Sequence, residues 1–184
     1  MNILIQAVPW DDVRANNAQD LAAATGGAIV WDKEHSGYAT FLDVMGTFGD
    51  EAGILLEDDI ILCPQWKQKT EAVIEEHRDD VIRFFSYFPD DAELGPRWQS
   101  GKTYAQNQCV YYPAGVAADF VKYAATKRRS QFAEKYHDMM FARFLHSRRQ
   151  PFWLHVPSLV QHMTIPSVVM THRRKRVSPT FERA

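Results

Sequence analysis

The chain has 184 residues, 46% apolar and 12% aromatic, with a formal net charge of −2. That much apolar material excludes a disordered chain, and the length suits one well-filled core. No apolar stretch approaches the ~20 residues that span a bilayer, and Met1-Asn2-Ile3 lacks the basic start of a signal peptide, so a soluble, cytoplasmic protein without membrane insertion is expected. Ile3 to Val8 reads as a first strand, ended by Pro9. Asp11 or Asp12 can cap a helix that runs to about Thr25, where Gly26-Gly27 stops it. Ala28 to Trp31 forms a second strand with Asp32 at its end, and the intervening turn has no G-x-G-x-x-G, so a dinucleotide of the Rossmann type is not indicated. Ser36 can cap the next helix, whose Tyr38, Phe41, Leu42 and Met45 follow the spacing of a core-facing stripe.

The run Gly53-Ile54-Leu55-Leu56 has no polar face and reads as a strand buried on both sides of a parallel sheet. Glu57-Asp58-Asp59 then stand at its carboxyl end, where open α/β sheets bind ligands. Like charges that close repel, and a hard divalent cation bridging them to substrate phosphates makes sense of the run. A solvated acidic turn is the plain alternative, but Ile60-Ile61-Leu62 follows at once and keeps the acids inside the fold.

Pro64 opens a helix to about Arg78 with Trp66, Thr70, Val73 and Ile74 on one side, and Val81 to Phe85 is a further strand. Tyr87 to Tyr104 shows no period and is interrupted by Pro89, Gly95 and Pro96, so a long lid or binding loop facing the acceptor is expected. Gln108 to Tyr112 reads as a strand, and Pro113 or Ala114 opens a helix to about Thr126. Asp138 begins another helix with Met140, Phe141, Phe144 and Leu145 buried, and Phe152 to Val156 is a last strand before Pro157. The fold class is therefore α/β, a single domain over residues 1–170 with a mostly parallel, Rossmann-like sheet flanked by helices. A basic C-terminal tail, 171–184, is expected to order only with ligand. Cys63 and Cys109 are too few and too far apart for a disulfide framework or zinc motif and read as reduced thiols.

Acids concentrate before Asp91, while bases gather in Lys127-Arg128-Arg129, Arg148-Arg149 and His172 to Arg176. Such clusters suit phosphates of a nucleotide or of a polymer backbone, with a solvated helix end the better reading for Arg148-Arg149.

Taken with Gln6-Ala7-Val8-Pro9 before it and Pro157-Ser158-Leu159-Val160-Gln161-His162 after it, the run Gly53 to Ile60 resembles small glycosyltransferases of the GT-A fold, a kind common in bacteriophage genomes. The resemblance spans nearly the whole chain. It implies that the acids are the counterpart of Asp-x-Asp, which holds a divalent metal against the diphosphate of a nucleotide sugar. Asp59 is then the direct metal ligand, and Asp58 or Glu57 serves the ribose, a metal-bound water or the metal. Glu-Asp-Asp in place of Asp-x-Asp leaves that division open. His162 matches a late metal ligand, and imidazole favours Mn²⁺ over Mg²⁺. Donor contacts are expected from Pro9, Arg14 and Asp32, with Arg173, Arg174 and Arg176 on the diphosphate of a UDP-sugar. Ser167 and Ser178 are lesser phosphate candidates. Arg14 has a solvated helix residue as its alternative. Asp138, at a helix start, is expected to be the general base of an inverting transfer, with an N-cap as its plain alternative and His137 as runner-up base.

The acceptor expected is a hydroxyl. The basic clusters, the aromatics Trp98, Tyr104, Tyr111 and Tyr112, and the lack of a membrane anchor point to 5-hydroxymethylpyrimidine in phage DNA, with the host cytoplasm as location. Lipopolysaccharide or another glycan is the alternative acceptor. A metal-dependent hydrolase or nuclease using Glu57, Asp58, Asp59 and His162 is a reading from another class. A non-catalytic nucleic-acid module is a third, opposed by the net negative charge.

Overall fold

A computed structural model describes residues 1–127, 137–165 and 176–182. Strand β1 (Asn2–Ala7) leads through Asp11, whose carboxylate accepts from the Val13 and Arg14 N–H groups, into helix α1 (Asp12–Thr25). Gly26 ends α1 with φ 75°, a left-handed conformation that glycine adopts without steric cost. Strand β2 (Ala28–Trp31) and helix α2 (Gly37–Phe48) follow, α2 capped by the Ser36 hydroxyl. Strand β3 (Gly53–Glu57) starts at a glycine because a Cβ there would meet the Phe48 ring at 2.1 Å.

Next come strand β4 (Ile60–Leu62), helix α3 (Trp66–Glu76), strand β5 (Ile82–Arg83), helix α4 (Pro89–Leu94), strand β6 (Arg97–Gln99), a 3₁₀ turn at Gly101–Thr103 and strand β7 (Cys109–Tyr112). Helices α5 (Val116–Ala125) and α6 (His137–Ser147) and strands β8 (Phe152–Leu154) and β9 (Val160–His162) complete the described elements. The main sheet has seven strands in the order β2-β1-β3-β7-β5-β8-β6. The pairings make β2, β1, β3, β5 and β8 co-directional, with β7 and β6 reversed. The sheet is thus mostly parallel, as expected.

Alternation along the strands divides the apolar residues between two cores. Leu4, Leu55, Val110 and Tyr112 face α2, α5 and α6, with Phe41, Phe120, Phe141 and Phe144 between them. Ile5, Ile54, Leu56, Cys109 and Tyr111 face the other way, toward Leu21 of α1 and Trp66 of α3. The result is one three-layer α/β/α domain, each sheet face buried by helices.

Three expectations need correction. The segment 87–104 is not a structureless lid: it holds α4, β6 and the 3₁₀ turn, and β6 pairs antiparallel with β8 as the sheet edge. Buried Asp91 anchors it, receiving the Ser86 hydroxyl and the Arg97 guanidinium, with Arg83 3.8 Å away. Secondly, β8 is not the last strand, because β9 pairs antiparallel with β4 in a separate two-stranded sheet. Thirdly, the described part of the tail, 176–182, is built into the fold. Ser178 is 5% exposed and Phe181 packs against the α1–α3 core.

Candidate active site

The chain passes from β1 to β2 on one side and to β3 on the other, so the sheet has a switch point beside β1, and ligands of open α/β sheets bind outside the carboxyl ends of such strands. Pro9, Asp32 and the acids Glu57-Asp58-Asp59 follow the carboxyl ends of β1, β2 and β3. Pro9 is exposed, and the next residue, Trp10, stacks on His35 with ring centroids 3.7 Å apart. Asp32 is buried and its Oδ1 accepts from the Glu34 and Ser36 N–H groups at 3.0 and 3.1 Å, closing the turn into α2.

Asp58 Oδ2 accepts from the Val8 N–H at 2.8 Å, while its Oδ1 lies 2.6 Å from Arg14 Nη1. The same Arg14 nitrogen stands 2.8 Å from Asp59 Oδ2. Arg14 is therefore no solvated helix residue. The Asp11 cap sets the first turn of α1 so that the guanidinium points inward and bridges the two aspartates. Burial pushes the Asp58 carboxyl up to about 6 in spite of Arg14.

His162 reaches this cluster through the second sheet, whose register sets it opposite Ile60 while the Met163 N–H donates to Asp59 O at 2.7 Å. Its Nδ1 is 2.6 Å from Met163 O and its Nε2 3.2 Å from Asp59 Oδ2. Burial opposes charge on both partners. The ion pair nonetheless keeps His162 above the ordinary imidazole value and, with Arg14, holds Asp59 below the usual carboxylate range. Asp59 Oδ1 is buried and has no hydrogen-bond partner among the described residues. The structure thus brings Asp58, Asp59, His162 and Arg14 together.

Beside them Glu57 continues toward α6. Its Oε2 accepts from Gln108 Nε2 at 2.7 Å, and its Oε1 lies 3.5 Å from His137 Nε2. Asp138 follows on the first turn of α6, with Oδ1 accepting from the Met139 N–H and Oδ2 from the Gln106 N–H at 3.1 Å. Its carboxylate thus has backbone partners, and it also faces the Glu57 and His137 end of the site. Burial lowers the His137 imidazole, but Glu57 and Asp138 outweigh it and leave the group raised, with Arg176 near enough to oppose the gain.

Arg173, Arg174 and Ser167 lie outside the described residues, as do Arg128 and Arg129 of the earlier basic cluster. Ser178 does not stand open to a phosphate. Its hydroxyl donates to Ser158 Oγ at 2.8 Å and its N–H to Gln161 Oε1 at 2.9 Å, an anchor between the tail and the β9 segment. Of the aromatics expected to stack on a flipped base, Tyr104, Tyr111 and Tyr112 are buried in the two cores, and only Trp98, at 47% exposure, is open. Sequence reasoning missed Gln6, the Gln106-Asn107-Gln108 run and the Ser158–Ser178 anchor. The carboxamide run carried a signal, since three consecutive amides directly before a buried strand are unusual for a solvated turn.

No family model matches the chain, and no curated protein matches it in sequence. Among solved structures it is similar to A197 from STIV, at 14% identity and a TM-score of 0.55, over 95% of this chain and 96% of that one. It is also similar to a glycosyltransferase involved in the glycosylation of the major capsid of PBCV-1, at 13% identity and a TM-score of 0.54, over 91% of this chain and 96% of that one. Likeness at this identity concerns the fold, and the single-domain α/β architecture described above is one that a glycosyltransferase uses along nearly its whole length.

Proposed function

We propose that the protein is a glycosyltransferase that moves a sugar from a nucleoside diphosphate, UDP in the first instance, to a hydroxyl acceptor with inversion. The observation that carries this reading is the convergence, at the carboxyl end of β3, of the Asp58–Asp59–Arg14–His162 cluster with the Glu57–His137–Asp138 cluster. One cluster suits a diphosphate and its counter-cation, and the other suits a proton transfer.

The residues fit a divalent cation. Asp59 Oδ1 is a buried carboxylate oxygen without a partner among the described residues, and the neighbouring His162 imidazole, once it gives up the proton it shares with Asp59, completes an oxygen-plus-nitrogen donor pair that suits Mn²⁺ better than Mg²⁺. Among the described residues no three His, Cys, Asp or Glu side chains group as a complete set, so diphosphate oxygens and water must supply the remainder. When bound, the cation would offset charge growing on the leaving diphosphate. Arg14 holds Asp58 and Asp59 in place by offsetting their repulsion. Arg176, whose charge reaches His137, is a further cation for the leaving group. The Pro9-Trp10 turn, with His35 and Asp32 beside it, offers the nucleoside a flat ring and a carboxylate. Asp138, whose carboxylate the Met139 and Gln106 N–H groups hold in place, takes the acceptor hydroxyl proton.

A nuclease or hydrolase reading is less well supported, since Arg14 occupies the space between Asp58 and Asp59 that bridging ions would need. The acceptor proposal of 5-hydroxymethylpyrimidine DNA rests on sequence clusters, and the burial of three of its four stacking aromatics removes much of its support. Glycan acceptors therefore enter the same assay. Thermal shift with Mn²⁺ and nucleoside diphosphates tests the donor site: stabilisation is expected only with both present and is lost in Asp59→Asn. Equal stabilisation in excess chelator would contradict the metal. Incubation with donor sugars and hydroxymethylated DNA, unmodified DNA or lipopolysaccharide, read by mass, assigns the acceptor, and no transfer to any hydroxyl compound would sink the enzyme reading.

A further inference from the structure

Arg14 Nη1 lies 2.6 Å from Asp58 Oδ1 and 2.8 Å from Asp59 Oδ2, so a single nitrogen takes one oxygen from each of two adjacent buried carboxylates. A divalent cation bridging neighbouring aspartates would draw on the same two oxygens, because hard cations are ligated by carboxylate oxygen. The helix that carries Arg14 cannot shift independently of these acids. The Asp11 carboxylate caps the first turn of α1, and Asn17 Nδ2, three residues past Arg14, donates to Asp58 O and Ile60 O at 2.8 and 2.9 Å.

The remaining carboxylate oxygens differ in what they can offer. Asp58 Oδ2 accepts from the Val8 N–H at 2.8 Å, and His162 Nε2 stands 3.2 Å from the Asp59 oxygen that Arg14 also contacts. Asp59 Oδ1 is the one oxygen of the pair that no described residue already holds. With Arg14 in place, a cation therefore finds one carboxylate oxygen and one imidazole, which is little for an ion that takes about six donors. The guanidinium beside the same carboxylates also repels a second cation. A diphosphate removes both obstacles, since its oxygens supply ligands and its charge offsets the repulsion.

We propose that Arg14 is a built-in competitor of the divalent cation: it occupies the bridging oxygens of Asp58 and Asp59, so that the cation binds tightly only together with a nucleoside diphosphate. This rests on the donor reading given above and adds to it the mutual dependence of the two ligands. Arg14→Met is the informative change because it opens Asp58 Oδ1 and Asp59 Oδ2 to the ion and removes the opposing charge. Arg14→Lys is its control, since it keeps the charge.

The test is the binding of Mn²⁺ without nucleotide, read from the paramagnetic resonance signal of the free ion and from the melting temperature. Wild type is expected to bind the ion weakly and to melt alike in Mn²⁺ and in chelator. Arg14→Met should bind Mn²⁺ alone about tenfold or more tightly and regain melting temperature when the ion is added, while Arg14→Lys stays close to the wild type. The gain should vanish when Asp59→Asn is added to Arg14→Met. A gain that survives Asp59→Asn, or that Arg14→Lys shares in full, overturns the proposal. If Arg14 only scaffolds the carboxylates, Arg14→Met binds Mn²⁺ no better than wild type or more weakly, which overturns it too. Where the variants do not fold, the wild type decides. Weak Mn²⁺ binding that UDP or GDP strengthens supports the competition, and tight binding without nucleotide overturns it while leaving the donor reading standing. Failure to bind Mn²⁺ even with UDP or GDP removes both.

Discussion

Arg14 offers the most direct check on the electrostatics of the site. Its side chain is 5% exposed, the carboxylates of Asp58 and Asp59 are 5% and 8% exposed, and one guanidinium nitrogen serves both at 2.6 and 2.8 Å. Arg14→Met keeps the length and the packing of the stem but leaves two adjacent buried carboxylates with His162 as their nearby cation. Removing one member of a buried ion pair costs about 3–5 kcal/mol because the remaining charge is stranded. For a chain of this size each kcal/mol moves the melting temperature by about 2–4 °C, so the variant should melt roughly 6–20 °C below the wild type. Asp58→Asn in the same background removes half of the stranded charge and should recover several degrees, because residues in one network are not additive. Scanning calorimetry of the two single variants and the double variant, in chelator, measures this cycle. If Arg14→Met melts within a degree or two of the wild type, or if Asp58→Asn lowers its stability further, the bridge is not what holds the two aspartates.

Asp138→Asn should lower kcat by roughly 10²-fold or more with the donor Kd little changed, and normal turnover with earlier melting would show that its carboxylate serves only as a helix-start cap. Ser178→Ala should cost about 1 kcal/mol by taking one partner from buried Ser158 and one from half-buried Thr180, and removing residues 172–184 should cost more, since Phe181 leaves with it; a truncated protein as stable as the full chain would refute the anchor. Burial, with His77 nearby, lowers the His155 imidazole to about 4, so the unfolded chain takes its proton first as pH falls below the ordinary value of about 6.5. Stability is thus whole above pH 6.5 and lost progressively down to pH 4, by about 2 kcal/mol once partial exposure of the ring is discounted. His155→Gln should flatten that slope in urea unfolding, and an unchanged slope would assign it to other groups.

The elements that could be read from the sequence are those whose signals are local. The α1 boundaries follow from Asp11 and Gly26, the α2 stripe from Tyr38, Phe41 and Met45, and the buried β3 from a run with no polar face, because caps and periodicity act within a few residues. The acids at the end of β3 were legible for the same reason, since a strand must end and its carboxyl end has a defined place in an α/β sheet.

Pairing across the sheets was not legible. β6 is three residues long and exists because β8 supplies its hydrogen bonds, and β9 exists because Ile60 to Leu62 leaves the main sheet and needs a partner. The same holds for the side chains that complete the site. Whether Arg14 faces water or Asp58, whether Ser178 meets a phosphate or Ser158, and whether Gln108 faces water or Glu57 depend on what lies opposite. Residues far apart in the chain meet there only after the sheet order is set. Sequence period determines which face of an element is apolar; the charge and hydrogen bonds that a buried polar group finds on that face are decided by tertiary contact, because burial makes an absent partner costly and so ties each group to the neighbour that the fold provides.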